Sequence, residues 1–437
     1  MKALNDTLII RQGTCPPACR ACVDACANRE DGDGVAVINP VQFSPANFQG
    51  ILTCNQCSLP ACSEICPGGA IERDAGGVVH IDRQRCSGCG LCTLACPYGG
   101  ITYQADLKKA FKCDYCAGSP RCVEACPYGV LSFVKSRPVV NYLQEDELLA
   151  PGTIFCAGCP AELALRFLLR VLGKEVILFG CPGCAGAGGL GFFDAAAAKV
   201  AVISCLMTNI PSIMTGVSRY YRKVGRDVTC VAFVGDGATA DVGFQPLSGA
   251  AERGENFIYI CCDNEGYMNT GVQRSSTTPS KAWTSTTPVG ELCRGKEQES
   301  KNMPLLMAFH GIPYVATAAV SHLEDFAQKL LKAKSVKNGM AYIHLFSPCP
   351  TGWRSSPEEA IDLSRRAVET NYFPLWEAEH GKFSFTWQPK RVKPVTEFTS
   401  CMKRFAHLTD EESSSFQALV EKRYDFVNTL VKEEITV

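Results

Sequence analysis

Of the 27 cysteines in this 437-residue chain, 16 stand in four runs before residue 127. They are Cys15/Cys19/Cys22/Cys26, Cys54/Cys57/Cys62/Cys66, Cys86/Cys89/Cys92/Cys96 and Cys113/Cys116/Cys122/Cys126, and the last three runs close on Pro67, Pro97 and Pro127. Three closely spaced thiolates can wrap one corner of a [4Fe–4S] cube while a fourth arrives from a distant segment, so such motifs work in pairs. Four motifs predict four clusters and electrons moved one at a time. Paired CxxC units also build tetrahedral zinc sites, but zinc needs no CxxCxxCxxxCP register. Disulfide frameworks belong mainly to short exported chains, whereas this chain is long and starts MKALNDT, with no apolar export signal. The expected setting is cytoplasmic, reducing and low in oxygen.

A second constellation places hard oxygen ligands beside glycine. The apolar run 228–234 enters Gly235-Asp236-Gly237, and the run 257–262 enters Asp263-Asn264-Glu265-Gly266. Mg²⁺ favours oxygen ligands and takes phosphates as co-ligands, so a carboxylate, an amide and a carbonyl make a suitable half-shell. Gly235 and Gly237 would let the backbone approach a diphosphate. A lone GDG is most often only a turn. What raises this one is Asn264, 28 residues after Asp236 and at the end of the next strand-like run.

This pairing resembles the thiamine-diphosphate motif. The segments GDGATAD (235–241), LSGAAERG (247–254), DNEGYMNTG (263–271), QRSSTTP (273–279), HGIPYVAT (310–317) and PCPTGW (348–353) closely resemble the β subunit of pyruvate:ferredoxin and related 2-oxoacid:ferredoxin oxidoreductases. That likeness runs over about 149–385. It implies Mg²⁺ on Asp236, the Asn264 side chain and the Gly266 carbonyl, and thiamine diphosphate against Gly235, Gly237 and Asn269. It also implies a proximal [4Fe–4S] cluster on Cys156, Cys159, Cys184 and Cys349. Cys181 departs from the pattern as a second thiol near Cys184, and register favours Cys184. Asn269 and Thr270 are candidate catalytic contacts, able to donate to an anionic carboxylate without adding charge; the bland alternative is a turn that shapes the loop.

The cysteine quartets, widened at 15–19, 57–62 and 116–122, resemble the four-cluster electron-transfer subunits of molybdopterin oxidoreductases over roughly the first 135 residues. That family's crossed wiring implies clusters on Cys15, Cys19, Cys22 and Cys126; on Cys113, Cys116, Cys122 and Cys26; on Cys54, Cys57, Cys62 and Cys96; and on Cys86, Cys89, Cys92 and Cys66. Motif one departs by having Ala27 where the others have proline.

Together the resemblances imply oxidative decarboxylation of a 2-oxoacid, with five [4Fe–4S] clusters carrying electrons to ferredoxin or to a flavin/NAD subunit. Pyruvate, an aromatic 2-oxoacid such as phenylglyoxylate, and oxalate are the candidate substrates. The carboxylate that sets the thiamine tautomer belongs in this family to a separate pyrimidine-binding domain. No second α/β unit is readable here, so an α subunit and a γ-type subunit are expected partners. Two other readings remain: an electron-transfer subunit whose thiamine fold is only a docking scaffold, and a non-oxidative decarboxylase with regulatory clusters. Neither a CoA site nor a Rossmann fingerprint is readable.

The elements that must hold these groups follow from periodicity. Runs at 176–179, 200–204, 228–234 and 257–262 read as short buried strands alternating with amphipathic helices, which predicts an α/β fold with a parallel sheet covered on both faces. The expected architecture is a parallel-sheet thiamine-diphosphate-binding domain (153–390), preceded by a ferredoxin-like α+β iron–sulfur domain (1–135). A linker (136–152) with Arg137-Pro138, a charged 144–147 stretch and Pro151-Gly152 joins them. A helical tail (391–437), with Phe416, Leu419, Val420 and Tyr424 on one face, is expected to pack on a neighbouring domain or subunit. Net charge is −1, which leaves no footprint for nucleic acid. Arg166, Arg170 and Lys174 break the apolar stretch 163–179, so no membrane span is expected. Cys230, Cys261 and Cys262 read as buried packing, Cys205, Cys293 and Cys401 lack ligand-like neighbours, and His310 and His344 read as packed residues without a role.

Overall fold

The structure is a computed structural model. It describes residues 6–10, 15–16, 18–29, 33–43, 48–57, 60–74, 77–135, 139–144, 146–184, 186 and 197–437. The opening residues 1–5, Arg137-Pro138 and Glu145 lie outside the described residues. The chain divides into two compact units, Met1–Asn141 and Tyr142–Val437.

The first unit is made of two-stranded antiparallel ribbons: β1 (Asp6–Ile10) with β8 (Leu131–Lys135), β2 (Asn39–Phe43) with β3 (Phe48–Leu52), β4 (Ile71–Arg73) with β5 (Val79–Ile81), and β6 (Ile101–Gln104) with β7 (Lys109–Lys112). Between them lie α1 (Ala21–Ala27), α2 (Ala61–Glu64), α3 (Leu91–Ala95) and α4 (Arg121–Glu124). Each short helix carries the third cysteine of its motif as its second residue: Cys22, Cys62, Cys92 and Cys122. Helix α1 packs with α4 and α2 with α3. Cysteines make up much of the two small cores, one around Val37, Ile38 and Phe111 and one around Ile71, Val79 and Ile101.

The second unit is built on an eight-stranded sheet ordered β10-β9-β11-β12-β14-β13-β15-β16. The strands are β9 (Val176–Gly180), β10 (Ala201–Ser204), β11 (Thr229–Gly235), β12 (Ile258–Asp263), β13 (Tyr314–Ala319), β14 (Ala341–Phe346), β15 (Leu375–Glu379) and β16 (Lys382–Trp387). Six are parallel, as the alternating pattern requires, and β15 and β16 add an antiparallel edge. Strands β11 to β14 are buried nearly end to end, which suits parallel strands covered on both faces. Strand β10 corrects the expectation of a buried run. It is the sheet's edge, and Ala201 and Ser204 are exposed.

The covering helices are α5 (Pro160–Leu172), α6 (Ile210–Lys223), α7 (Phe244–Glu252), α8 (Met303–Ala308), α9 (Leu323–Ser335), α10 (Pro350–Trp353), α11 (Ala360–Glu369), α12 (Thr396–Thr399) and α13 (Asp410–Lys432). In α5, Pro160 occupies the first turn, where a missing N–H costs nothing. Ala161, Ala164, Leu165, Leu168, Leu169 and Leu172 then bury one face, and Gly173 (φ 83°) ends the helix. The tail folds back on its own unit: Phe416 and Val420 enter the core around Phe346 and Trp353, and Tyr424 stacks on Phe385 at 5.4 Å. Among the described residues no helix is long and apolar enough to cross a membrane.

Candidate active site

The chain leaves β9 for the edge strand β10 and returns to form β11 on the other side of β9, so strand order reverses there. Ligands of open α/β sheets bind outside the carboxyl ends of strands at such a point. A cavity of ≈ 140 Å³ lies there, lined by the 181–184 turn after β9, by Gly235, Asp236 and Gly237 after β11, and by Asn264, Gly266, Asn269 and Thr270 after β12. Register does the placing: Gly235 is level with Cys262, which brings Asp236 beside Asp263 at the next step.

Asp236 is 1% exposed. Burial, and after it the Asp263 carboxylate, hold its carboxyl well above the usual range. Thr277 Oγ1 lies 2.9 Å from Asp236 Oδ2 and 2.9 Å from Asp263 Oδ1. A hydroxyl has one proton, so it can donate to only one of the two carboxylates at a time. The two carboxyl groups thus share this one hydroxyl, and Asp263 also accepts from the Glu265 N–H at 2.8 Å. The end of the Asn264 amide lies 2.9 Å from the Gly266 carbonyl oxygen and 3.2 Å from Asp236 Oδ1. Turned one way it presents NH₂ and donates to both; turned the other way it presents oxygen, and three oxygens face one another. Neighbouring oxygens around octahedral Mg²⁺, with bonds of about 2.1 Å, stand about 3.0 Å apart. The donor set fits a small hard cation.

The two glycines of the GDG do different work. A Cβ on Gly235 would meet nothing within 4 Å, so its backbone is open to a ligand. A Cβ on Gly237 would meet the Tyr267 ring at 2.4 Å, and Tyr267 OH donates to the Gly237 carbonyl at 3.2 Å. A π-helical turn over Gly237–Asp241 starts here, a local geometry that recurs at functional sites. Asn269 and Thr270 both border the cavity. Thr270 Oγ1 donates to Gln273 Oε1 at 2.6 Å and Gln273 Nε2 returns to the Thr270 carbonyl at 2.8 Å, so Thr270 builds the turn.

Cys184 joins this cavity to a set of thiols. Burial pushes it up to about 11, with Cys159, Cys156 and Asp236 adding to the rise and the Asn269 N–H opposing it. Cys349 is pushed up to about 12 by burial, the Gly352 N–H at 3.2 Å opposes, and Cys184, Cys159 and Cys156 raise it further. These four thiols lie near enough to raise one another's pKa. Cys181 is buried and pushed up to about 12, by burial and then by its neighbour Cys205. Cys159 sits at the N-cap of α5, and burial raises its thiol although the N–H groups of Ala161 and Glu162 at the helix start oppose the rise.

The quartets of the first unit are interleaved. Cys22 is pushed up to about 11 by burial and then by Cys15, Cys19 and Cys126. Cys57, whose thiol is raised mainly by burial, also senses Cys54 and Cys96. Cys113, Cys116 and Cys122 surround one small cavity with Cys26, and Cys86, Cys89 and Cys92 surround another with Cys66. Among the described residues no three His, Cys, Asp or Glu side chains converge closely enough to hold a single metal ion. The sets are groupings around a space, not closed tetrahedra. Burial works against the Cys126 thiolate, yet N–H groups of Leu131, Tyr128, Val130 and Gly129 lower its pKa overall.

Residues 179–345 match the thiamine pyrophosphate enzyme, C-terminal TPP binding domain, and residues 48–136 match the 4Fe-4S dicluster domain. The NADH-dependent phenylglyoxylate dehydrogenase subunit beta of Aromatoleum evansii is 42% identical over 425 residues, 95% of each chain. The chain belongs to the β-subunit family of 2-oxoacid oxidoreductases. Other relatives cover about two thirds of the chain. Pyruvate synthase subunit PorB of Methanothermobacter thermautotrophicus is 47% identical over 280 residues, 64% of this chain and 96% of its own length. Ketoisovalerate oxidoreductase subunit VorB of Pyrococcus furiosus is 37% identical over 307 residues, 68% of this chain and 97% of its own length.

As a β subunit of this family, the chain carries thiamine diphosphate and iron–sulfur clusters, transfers electrons and works beside partner subunits. Several side chains around its site carry no signal of their own in the sequence. His344, read as packed without a role, is 3% exposed and places Nε2 2.8 Å from Asp263 Oδ2 and Nδ1 2.8 Å from Tyr342 OH. Thr277 lies in the QRSSTTP segment, where its place in the motif was legible and its bridge between two carboxylates was not.

Proposed function

We propose that this β subunit takes part in the oxidative decarboxylation of a 2-oxoacid. In this reading Asp236, the Asn264 side-chain oxygen and the Gly266 carbonyl hold Mg²⁺, and the open backbone at Gly235 receives the diphosphate. When bound, thiamine diphosphate would supply carbanion chemistry at the 2-oxo carbon, and the iron–sulfur clusters would supply one-electron acceptors. The chain's own contribution is placement. Asp236 and Asn264 orient the diphosphate end, Asn269 at the cavity edge donates to the substrate carboxylate, and the apolar wall of Met207, Met268 and Tyr267 limits water. The carrying observation is that Asp236, Asn264, Gly266 and Cys184 share one cavity.

Cys156, Cys159, Cys184 and Cys349 are the proposed ligands of a proximal [4Fe–4S] cluster, and the four crossed quartets hold four more. An aromatic 2-oxoacid of the phenylglyoxylate kind is the first candidate substrate, because the relative that spans both units carries that name. Pyruvate is the second reading, favoured by 47% identity over 280 residues to a pyruvate synthase subunit. The proposed partners are a pyrimidine-binding α subunit, a γ-type subunit and either ferredoxin or a flavin/NAD subunit as acceptor, in the cytoplasm.

The test is a substrate screen on the native complex, purified without oxygen and assayed for thiamine, iron and sulfide. Phenylglyoxylate, pyruvate and oxalate are each offered with a low-potential dye. Reduction dependent on a 2-oxoacid is the expected result, whereas stoichiometric zinc in place of iron, or no reduction with any 2-oxoacid, would sink the reading. The β subunit purified alone is expected to reduce no dye.

A further inference from the structure

Glu265 stands between two proposed metal ligands, Asn264 and Gly266, and has φ of 62°. That is the left-handed region, which a side-chain-bearing residue enters only when its surroundings over-determine it. Every polar group of Glu265 is engaged. Its N–H donates to Asp263 Oδ1 at 2.8 Å, and its carbonyl accepts from Thr278 Oγ1 at 2.7 Å. Its carboxylate accepts from Tyr372 OH at 2.5 Å and from Arg404 Nη2.

Arg404 is 1% exposed, and its guanidinium lies 3.7 Å from the centre of the Trp353 ring. Trp353 Nε1 donates to the Asn264 carbonyl at 2.9 Å, and Trp353 N donates to the Cys349 carbonyl at 2.8 Å. One buried cation thus braces the 264–266 turn twice, by ion pair to Glu265 and by stacking on the ring that holds Asn264. The bland reading is an ordinary core ion pair. Such pairs add little net stability, since desolvation offsets the attraction. What distinguishes this one is that both of its routes end on the same three-residue turn. Arg404 also lies outside the segments 48–136 and 179–345 that match known domains.

We propose that Arg404 is a positioning residue for the divalent cation, holding the 264–266 turn through Glu265 and Trp353 so that the Asn264 amide and the Gly266 carbonyl face Asp236. The proposal rests on the Mg²⁺ reading above. A guanidinium suits this role because it offers both a plane for stacking and a fork for the carboxylate, and lysine offers neither.

The experiment uses the purified complex stripped of thiamine diphosphate. Uptake of thiamine diphosphate is followed while Mg²⁺ is titrated, with iron content and thermal midpoint recorded for each variant. Arg404→Gln is expected to raise the Mg²⁺ midpoint by about tenfold or more, the usual cost of losing an outer-shell partner, with iron content unchanged. Arg404→Lys is expected to recover part of the shift. Tyr372→Phe keeps both charges and removes one donor to Glu265, so it decides the matter if Arg404→Gln does not fold; a smaller shift in the same direction is expected. A wild-type midpoint in the folded variants overturns the positioning role and leaves the Mg²⁺ reading standing. A wild-type complex that takes up thiamine diphosphate without any dependence on Mg²⁺, or takes up none, overturns both.

Discussion

Single side chains set both the site and its pH limits. Asn269 borders the cavity while its neighbour Thr270 is occupied within the turn. Asn269→Ala is therefore expected to slow turnover by roughly tenfold to a hundredfold with thiamine diphosphate still bound. Loss of the cofactor instead would show that Asn269 holds the loop and not the substrate. A second prediction concerns His322, whose ring packs edge-on to Trp387 at 4.7 Å and whose Nδ1 meets Ser321 Oγ at 2.9 Å. Burial lowers it from 6.5 to about 4. Between those values the unfolded chain takes up a proton that the folded chain refuses, so stability falls as pH falls from 6.5 towards 4. The slope from this group is at most about 1.4 kcal/mol per pH unit. His322→Gln should flatten the acid limb of an unfolding midpoint measured against pH, and an unchanged limb would assign the loss elsewhere.

At the scale of elements, the last helix and the loop between β12 and α8 hold each other. Thr409 and Glu412 form a capping box at the start of α13, with Thr409 Oγ1 accepting from Glu412 N at 3.2 Å and Thr409 N donating to Glu412 Oε2 at 3.1 Å. Arg294, from that loop, donates to Glu412 Oε1 at 3.1 Å. Hydrogen bonding from Arg294, first among several causes, lowers the Glu412 carboxyl to about 2. Thr409→Ala is expected to cost about 1 kcal/mol in chemical denaturation. Much of this level was legible in the sequence. Strands β9, β11 and β12 lie within a residue or so of their apolar runs, because burial on both faces leaves an uninterrupted hydrophobic signal. The exposure of β10 was not legible: Val202 and Ile203 look like core, and only strand order puts them at an edge. The proposed metal ligands, Asp236, Asn264 and the cysteines, are of types that stand out locally. Thr277, His344 and Arg404 act through partners that distant elements bring to them, and no local pattern announces that.

For the whole molecule, the proposed crossed ligation makes a prediction that uncrossed motifs would not. Cys126→Ser and Cys15→Ser should remove the same cluster although they lie in different motifs, each lowering the iron content by about four atoms and changing the same feature of the reduced-state EPR spectrum. If Cys126→Ser instead matches Cys113→Ser, the motifs are self-contained. The two units also differ in what holds them together. The second has broad apolar cores on its sheet, whereas thiols make up much of the small cores of the first. Loss of iron is accordingly expected to unfold the first unit and leave the second folded.

The proposed crossed ligation would fix a timetable for synthesis. The two inner sets, which use Cys54 to Cys96, are complete once residue 96 has left the ribosome, while Cys15, Cys19 and Cys22 must wait for Cys126, and Cys26 for Cys113, Cys116 and Cys122. The sets close like nested parentheses, the inner before the outer. A nascent chain cut off between residues 96 and 113 would own every proposed ligand for two cubes and hold four thiols still waiting for their proposed partners.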